Sequence, residues 1–144
     1  MQKRVLWVDD ECLRYREVVD RLRLNKVKTD LAYSASEGIK VMESDTLYDA
    51  IVIDIILPYG FEYKEEDVDD DDERLLPYLG LKLLSEAFAL RKGVPIIVLT
   101  IATDPRVHAK LNEWREMRLV CDVLDKGALR LDDVVEVILR AING

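Results

Sequence analysis

Between Ala50 and Leu57 every residue is apolar except one, Asp54. The run does not alternate, so it predicts a strand covered on both faces, as in a parallel sheet. A carboxylate in such a strand is costly unless a charged or hydrogen-bonding group meets it. Two readings of Asp54 are open at this point. One is a turn residue just ahead of Pro58, where Asp is common. The other is a member of a polar site at a strand end.

The flanking sequence repeats one unit. A short apolar strand over 4–8 ends in Asp9, Asp10 and Glu11, and a helix is predicted over 11–24. Leu13, Tyr15, Val18, Val19 and Leu22 form its apolar stripe. Val27, Thr29 and Leu31 alternate with polar residues and predict a second strand nearer the edge. Ser34 and Glu37 match a capping box, which starts a second helix running to about Ser44. After the Asp54 strand, a helix is predicted over 81–91 and ended by Gly93. A buried strand follows over 94–100, with Pro95 at its start where a missing donor is tolerated. Asp104 and Pro105 open a helix to about Met117. A last strand is predicted over 119–124 and a last helix over 131–142. Strand–helix alternation of this kind predicts an α/β fold: a parallel sheet with right-handed crossovers and helices on both faces. One domain over residues 1–144 accounts for the length.

Charge is unevenly spread. The chain carries −8 at neutral pH, and residues 62–74 hold nine acids against two bases, which is −7 of that total. The scaffold is therefore nearly neutral, without the basic footprint of a direct nucleic-acid binder. The connection from Pro58 to Gly80 far exceeds ordinary loop lengths. Residues 59–79 read as an acidic loop insertion: a solvated loop, a docking surface for a basic partner or, less favoured without an Asp-x-Asp-x-Asp-Gly loop, a dedicated cation site. No apolar run is long enough to span a bilayer. Two cysteines without metal-ligand spacing, Cys12 and Cys121, suggest reduced thiols in a cytoplasmic protein. A single histidine, His108, excludes a multi-histidine metal site and reads as a surface residue. Trp7 and Cys12 read as packing, while Trp114 is either core or a partner contact.

In a parallel sheet of this kind, ligands sit beyond the carboxyl ends of the strands. The polar residues expected there are Asp9, Asp10, Asp54, Thr100 and Lys126. Crowded carboxylates repel one another, and a hard divalent cation such as Mg²⁺ relieves the repulsion. With a hydroxyl and an ammonium beside them, they describe a site for a phosphoryl group carried on a carboxylate.

In this order, each at its own strand end, these residues resemble those of a response-regulator receiver domain, and the resemblance covers the whole chain. It implies a flavodoxin-like sheet of order 2-1-3-4-5. It also implies that Asp54 accepts a phosphoryl group from a histidine kinase or phosphotransfer protein. Asp9, Asp10, Asp54 and the Ile56 backbone carbonyl would hold Mg²⁺, and Thr100 and Lys126 would bind the phosphoryl oxygens. Signal would leave through a downstream protein on the face of helix four, strand five and helix five, and a homodimer is left open. The sequence departs from the family at four places. Ile101 stands where a small residue is usual, and is expected to slow phosphorylation or hydrolysis. Gly127 replaces a proline after the lysine, so a cis bond there is not expected. Val123 replaces an aromatic switch residue, and the acidic insertion is additional. A phosphorylation-independent pseudo-receiver is the alternative. A small phosphohydrolase of the aspartyl-phosphate type is disfavoured, because Asp54 is followed by two isoleucines rather than by a second aspartate two residues on.

Overall fold

The computed structural model describes residues 2–56, 79–101 and 104–144. The acidic segment 62–74, with all of the 59–79 insertion except Leu79, lies outside them. The elements are β1 (Lys3–Val8), a 3-10 turn (Cys12–Tyr15), α1 (Arg16–Leu24), β2 (Val27–Ala32), α2 (Ala35–Glu43) and β3 (Ala50–Asp54). There follow α3 (Leu79–Leu90), β4 (Ile96–Thr100), α4 (Pro105–Glu116), β5 (Asp122–Asp125) and α5 (Leu131–Asn143). The strands form one sheet in the order β2-β1-β3-β4-β5, every pair parallel.

The uninterrupted apolar strands explain the two-sided core. Side chains alternate across a strand. Leu6, Val8, Ile51, Ile53, Ile96 and Val98 therefore face α2, α3 and α4, while Val5, Trp7, Ala50, Val52, Ile97 and Leu99 face α1 and α5. Trp7 is fully buried. Trp114 is core as well, packed edge-on against Phe88 with ring centroids 5.1 Å apart. No helix among the described residues is long and apolar enough to cross a membrane.

Local chemistry sets the boundaries. Ser34 Oγ accepts from the Glu37 N–H at 3.3 Å, and the Glu37 carboxylate accepts from the Tyr33 N–H at 2.6 Å. The predicted capping box thus forms, one residue wide of its ideal return bond. Asp104 caps α4 by accepting from the Arg106 N–H at 2.9 Å. Pro95 has no N–H to give, yet its carbonyl accepts from Ile51 at 2.9 Å, so the sheet uses the half of the residue that remains. Gly93, with φ +83°, closes the turn after α3.

Two predicted elements differ from the structure. The helix expected over 11–24 is a 3-10 turn followed by α1. The Asp9 carboxylate takes the Glu11 N–H at 2.8 Å, and this tight turn delays the regular helix. Leu13 consequently leaves the apolar stripe and is 72% exposed. The strand expected over 119–124 begins only at Asp122. Leu119 and Val120 both direct their N–H groups to the Trp114 carbonyl, at 2.9 and 3.4 Å, after Arg118 turns into the left-handed region at φ 63°. They belong to the exit of α4, and pairing with β4 starts at the Cys121 N–H.

Candidate functional site

The sheet order sets β1 beside β3, so the residues ending these strands are neighbours by construction. Asp9 follows β1 and is wholly buried, and its backbone N–H bonds Ala32 at 2.9 Å. Asp54 ends β3 and is 3% exposed. Its Oδ1 accepts from the Ile56 N–H at 3.0 Å, which fixes the carboxylate against its own turn. Asp10 is on the exposed side of the same cluster. One carboxylate oxygen from each of Asp9, Asp10 and Asp54 lies within 4.8 Å of the others.

Lys126 completes the cluster from the turn after β5. Its backbone N–H donates to the Thr100 carbonyl at 2.9 Å, and the Asp125 carboxylate takes the Gly127 N–H at 2.8 Å. This turn sends the lysine stem inward, where its Nζ donates to Asp54 Oδ2 at 2.8 Å and lies 3.0 Å from Asp9 Oδ2. Lys126 and Asp54 side chains are each 4% exposed. Thr100, at the end of β4, is buried beside them. Among the described residues no peptide bond is cis.

The electrostatics follow from burial. The Asp54 carboxyl is pushed up to about 6: loss of water raises it most, the hydrogen bond from Lys126 works against that rise, and the Asp9 charge adds to it. For Lys126 burial alone would lower the pKa, but its hydrogen bond to Asp54 and the charges of Asp54 and Asp9 hold it above the ordinary value. Asp10 is raised by partial burial and then by Asp9 and Glu11. Among the described residues three carboxylates face one ammonium, which leaves the cluster short of positive charge. Asp9 Oδ2 is buried and makes no aligned hydrogen bond, despite the nearby ammonium. A hard, oxygen-seeking dication fits that donor set.

All the residues expected at the site, Asp9, Asp10, Asp54, Thr100 and Lys126, meet at one end of the sheet. Ile56 lies two residues beyond Asp54, with its N–H engaged there. Ile101 is 57% exposed at the mouth of β4. Val123 is half-buried against the α2, α3 and α4 cluster, and His108 is exposed on α4. Cys12 is buried packing: its thiol donates to the Asp9 carbonyl at 2.6 Å, and burial raises its pKa to about 12. Cys121 is exposed, and both cysteines are free. The sequence reading missed Tyr15. Its ring lies 5.5 Å from the Lys126 ammonium and 5.1 Å from the Trp7 ring. Helical spacing marked it only as core, and no motif distinguishes a ring that lines a site from one that fills it.

No family model matches the chain, and no curated protein matches it. Solved structures do. A CheY-like response regulator receiver domain protein from Methanospirillum hungatei matches with a TM-score of 0.71 at 21% identity, over 99% of this chain and 95% of that one. The non-phosphorylated HemR receiver domain from Leptospira biflexa matches at 0.69 and 20%, over 99% and 95%. The response regulator protein TrrA from Thermotoga maritima, in complex with Mg²⁺-BeF, matches at 0.67 and 22%, over 96% and 98%. The chain has the fold of response-regulator receiver domains, with an acidic cluster at the carboxyl end of its sheet.

Proposed function

We propose that the chain is a receiver domain that accepts a phosphoryl group on Asp54 from a histidine kinase or phosphotransfer protein. It then signals through protein contacts rather than through a reaction on a small-molecule substrate. The observation that carries this reading is the Lys126 ammonium held between Asp54, at 2.8 Å, and Asp9, at 3.0 Å, at the mouth of the sheet. In the transfer an Asp54 carboxylate oxygen bonds to phosphorus. The P–N bond to the donor imidazole breaks, and the imidazole keeps that electron pair. Lys126 neutralises charge on the phosphoryl oxygens, and the Thr100 hydroxyl donates to one of them. Asp9, Asp10, Asp54 and the Ile56 carbonyl would hold Mg²⁺, which supplies further charge neutralisation at the same oxygens.

The output surface is α4, β5 and α5, where β5 is the sheet edge, and self-association would use the same side. The acidic segment 62–74 tunes the choice of donor. Its deletion is expected to change transfer rates in a salt-dependent way, since screening acts over about 8 Å at physiological ionic strength. Two free cysteines and the class of donor support a cytoplasmic reading. The competing reading is a pseudo-receiver that binds proteins without being phosphorylated, and Ile101 and Gly127 favour it. One experiment separates the two. Acetyl phosphate with Mg²⁺ is expected to add one phosphoryl group to the wild type by mass spectrometry, and none to Asp54→Asn or to wild type in chelator. No mass gain in the wild type would leave the pseudo-receiver.

A further inference from the structure

A lysine ammonium has three N–H bonds to place. In this site two carboxylate oxygens lie within 3.0 Å of it, and the Tyr15 ring lies on a further side with its centroid 5.5 Å from Nζ. That distance is inside the range over which an aromatic face attracts a cation, and the attraction strengthens where water is excluded. Water is excluded here, because the Lys126 side chain is 4% exposed and Tyr15 is 5% exposed. The ring is itself held. It stacks on Trp7 at 5.1 Å with a 32° tilt, and Trp7 is fully buried in β1, two residues before Asp9. The chain of contact therefore runs from the centre of the sheet, through two rings, to the ammonium.

We propose that Tyr15 is a positioning residue of the phosphoacceptor site, holding the Lys126 ammonium through its ring face. This inference rests on the functional reading above. Its reason lies in what the reaction changes. Both carboxylates that anchor Lys126 alter their charge or partners when Asp54 is esterified and the acidic cluster takes up a cation. The ring is a neighbour that does not change. It keeps the ammonium in place while its ionic partners are exchanged.

The test uses the full chain and two variants, Tyr15→Phe, which keeps the ring, and Tyr15→Met, which keeps apolar bulk without one. In lysine-labelled protein the Lys126 ε-methylene protons, identified by their loss in Lys126→Arg, are expected upfield of the other lysines. The shift persists in Tyr15→Phe and disappears in Tyr15→Met. Loading by acetyl phosphate with Mg²⁺ is expected to slow roughly five- to tenfold in Tyr15→Met and to stay within about twofold in Tyr15→Phe. Ordinary Lys126 shifts in the wild type would overturn the proposal. So would a Tyr15→Met protein that loads at the wild-type rate, or a Tyr15→Phe protein as slow as Tyr15→Met. If Tyr15→Met does not fold, the wild-type and Tyr15→Phe shifts decide. If the wild type does not load at all, the phosphoacceptor reading fails, and the spectrum still reports whether the ring holds the ammonium.

Discussion

Replacing Gly80 by alanine is expected to damage both the fold and the site, because Gly80 is where α3 rests on the end of β3. The Gly80 N–H donates to the Ile55 carbonyl at 2.9 Å. A Cβ added there would lie 2.5 Å from Ile55 Cα and 2.9 Å from Ile55 C, and closer still to the Asp54 carbonyl oxygen. These are backbone atoms, so no rotamer change makes room. Either α3 lifts off or the Asp54 backbone moves. Overpacking of this kind costs about 1–3 kcal/mol, and weakening the hydrogen bond costs about 1 kcal/mol more. Alanine recovers up to about 1 kcal/mol as the better helix former. The net expectation is a loss of about 2 kcal/mol. With a urea slope of about 2 kcal/mol/M, that moves the midpoint down by about 1 M. The phosphoryl-loading rate should fall with it, since the displaced backbone carries Asp54. Gly127→Ala is the control: its Cβ would meet only the Asp125 side-chain oxygen at 3.2 Å, on an exposed turn, and should cost less than about 0.5 kcal/mol. If Gly80→Ala unfolds at the wild-type urea concentration, α3 does not dock on β3 through this contact.

Three further outcomes are expected. Arg91 donates to the carbonyls of Met42, Ser44 and Thr46 at 2.9, 2.9 and 2.6 Å, tying the end of α2 to α3. Arg91→Met should therefore cost about 2 kcal/mol by urea unfolding, and Arg91→Lys should recover less than half, because one ammonium cannot match the fork. Asp30 is pushed up by burial, but hydrogen bonds from Arg4 at 2.7 Å and Tyr48 at 2.6 Å outweigh this and leave its pKa lowered. A lowered carboxyl adds stability above its unfolded pKa, near 3.9, and loses it as pH falls through the folded value. The stability gap between wild type and Asp30→Asn should thus be full at pH 7 and narrow below about pH 4. An equal gap at both would remove Asp30 from the account. Ile101, exposed at the mouth of β4, should shield the acyl phosphate from water, so Ile101→Ala should lose its phosphoryl group faster by mass spectrometry. Equal decay would refute the role.

What could be read from the sequence has a physical logic. Strands β3 and β4 announce themselves because both of their faces are covered, so every residue is apolar and the run ends where the sheet ends. Asp54 and Thr100 are visible for the same reason, as polar residues that stop an apolar run. Ser34 and Asp104 were legible because capping is a local bond between residues two or three apart. The misses come from competing local turns and, for Tyr15, from one long-range contact. The apolar spacing of Leu13 does not reveal that Asp9 will take the Glu11 N–H and delay α1. Leu119 and Val120 have the composition of a strand, yet the end of α4 claims their N–H groups first. The Tyr15 contact with Lys126 joins residues from opposite ends of the chain, and helical periodicity carries no information about it.

The strand order itself explains why the cation of this site is a lysine. β1 and β3 are adjacent, so Asp9 and Asp54 sit about one strand spacing, roughly 4.8 Å, apart. β5 is separated from β3 by β4, so a residue leaving β5 starts about two spacings away, near 10 Å. Only a long side chain crosses that gap. Lysine does so with a four-carbon stem that can lie against the apolar wall while its charge reaches the carboxylates. At its tip the ammonium lies 5.5 Å from the Tyr15 ring, which in turn packs on Trp7. A compact charge at the tip can meet Asp9 and Asp54 together, which a planar fork aimed at one carboxylate does less well. Even so, one ammonium cannot balance three acids. The same topology that gathers Asp9, Asp10 and Asp54 therefore creates the demand for a second cation, and orients it toward the open side where Asp10 is exposed.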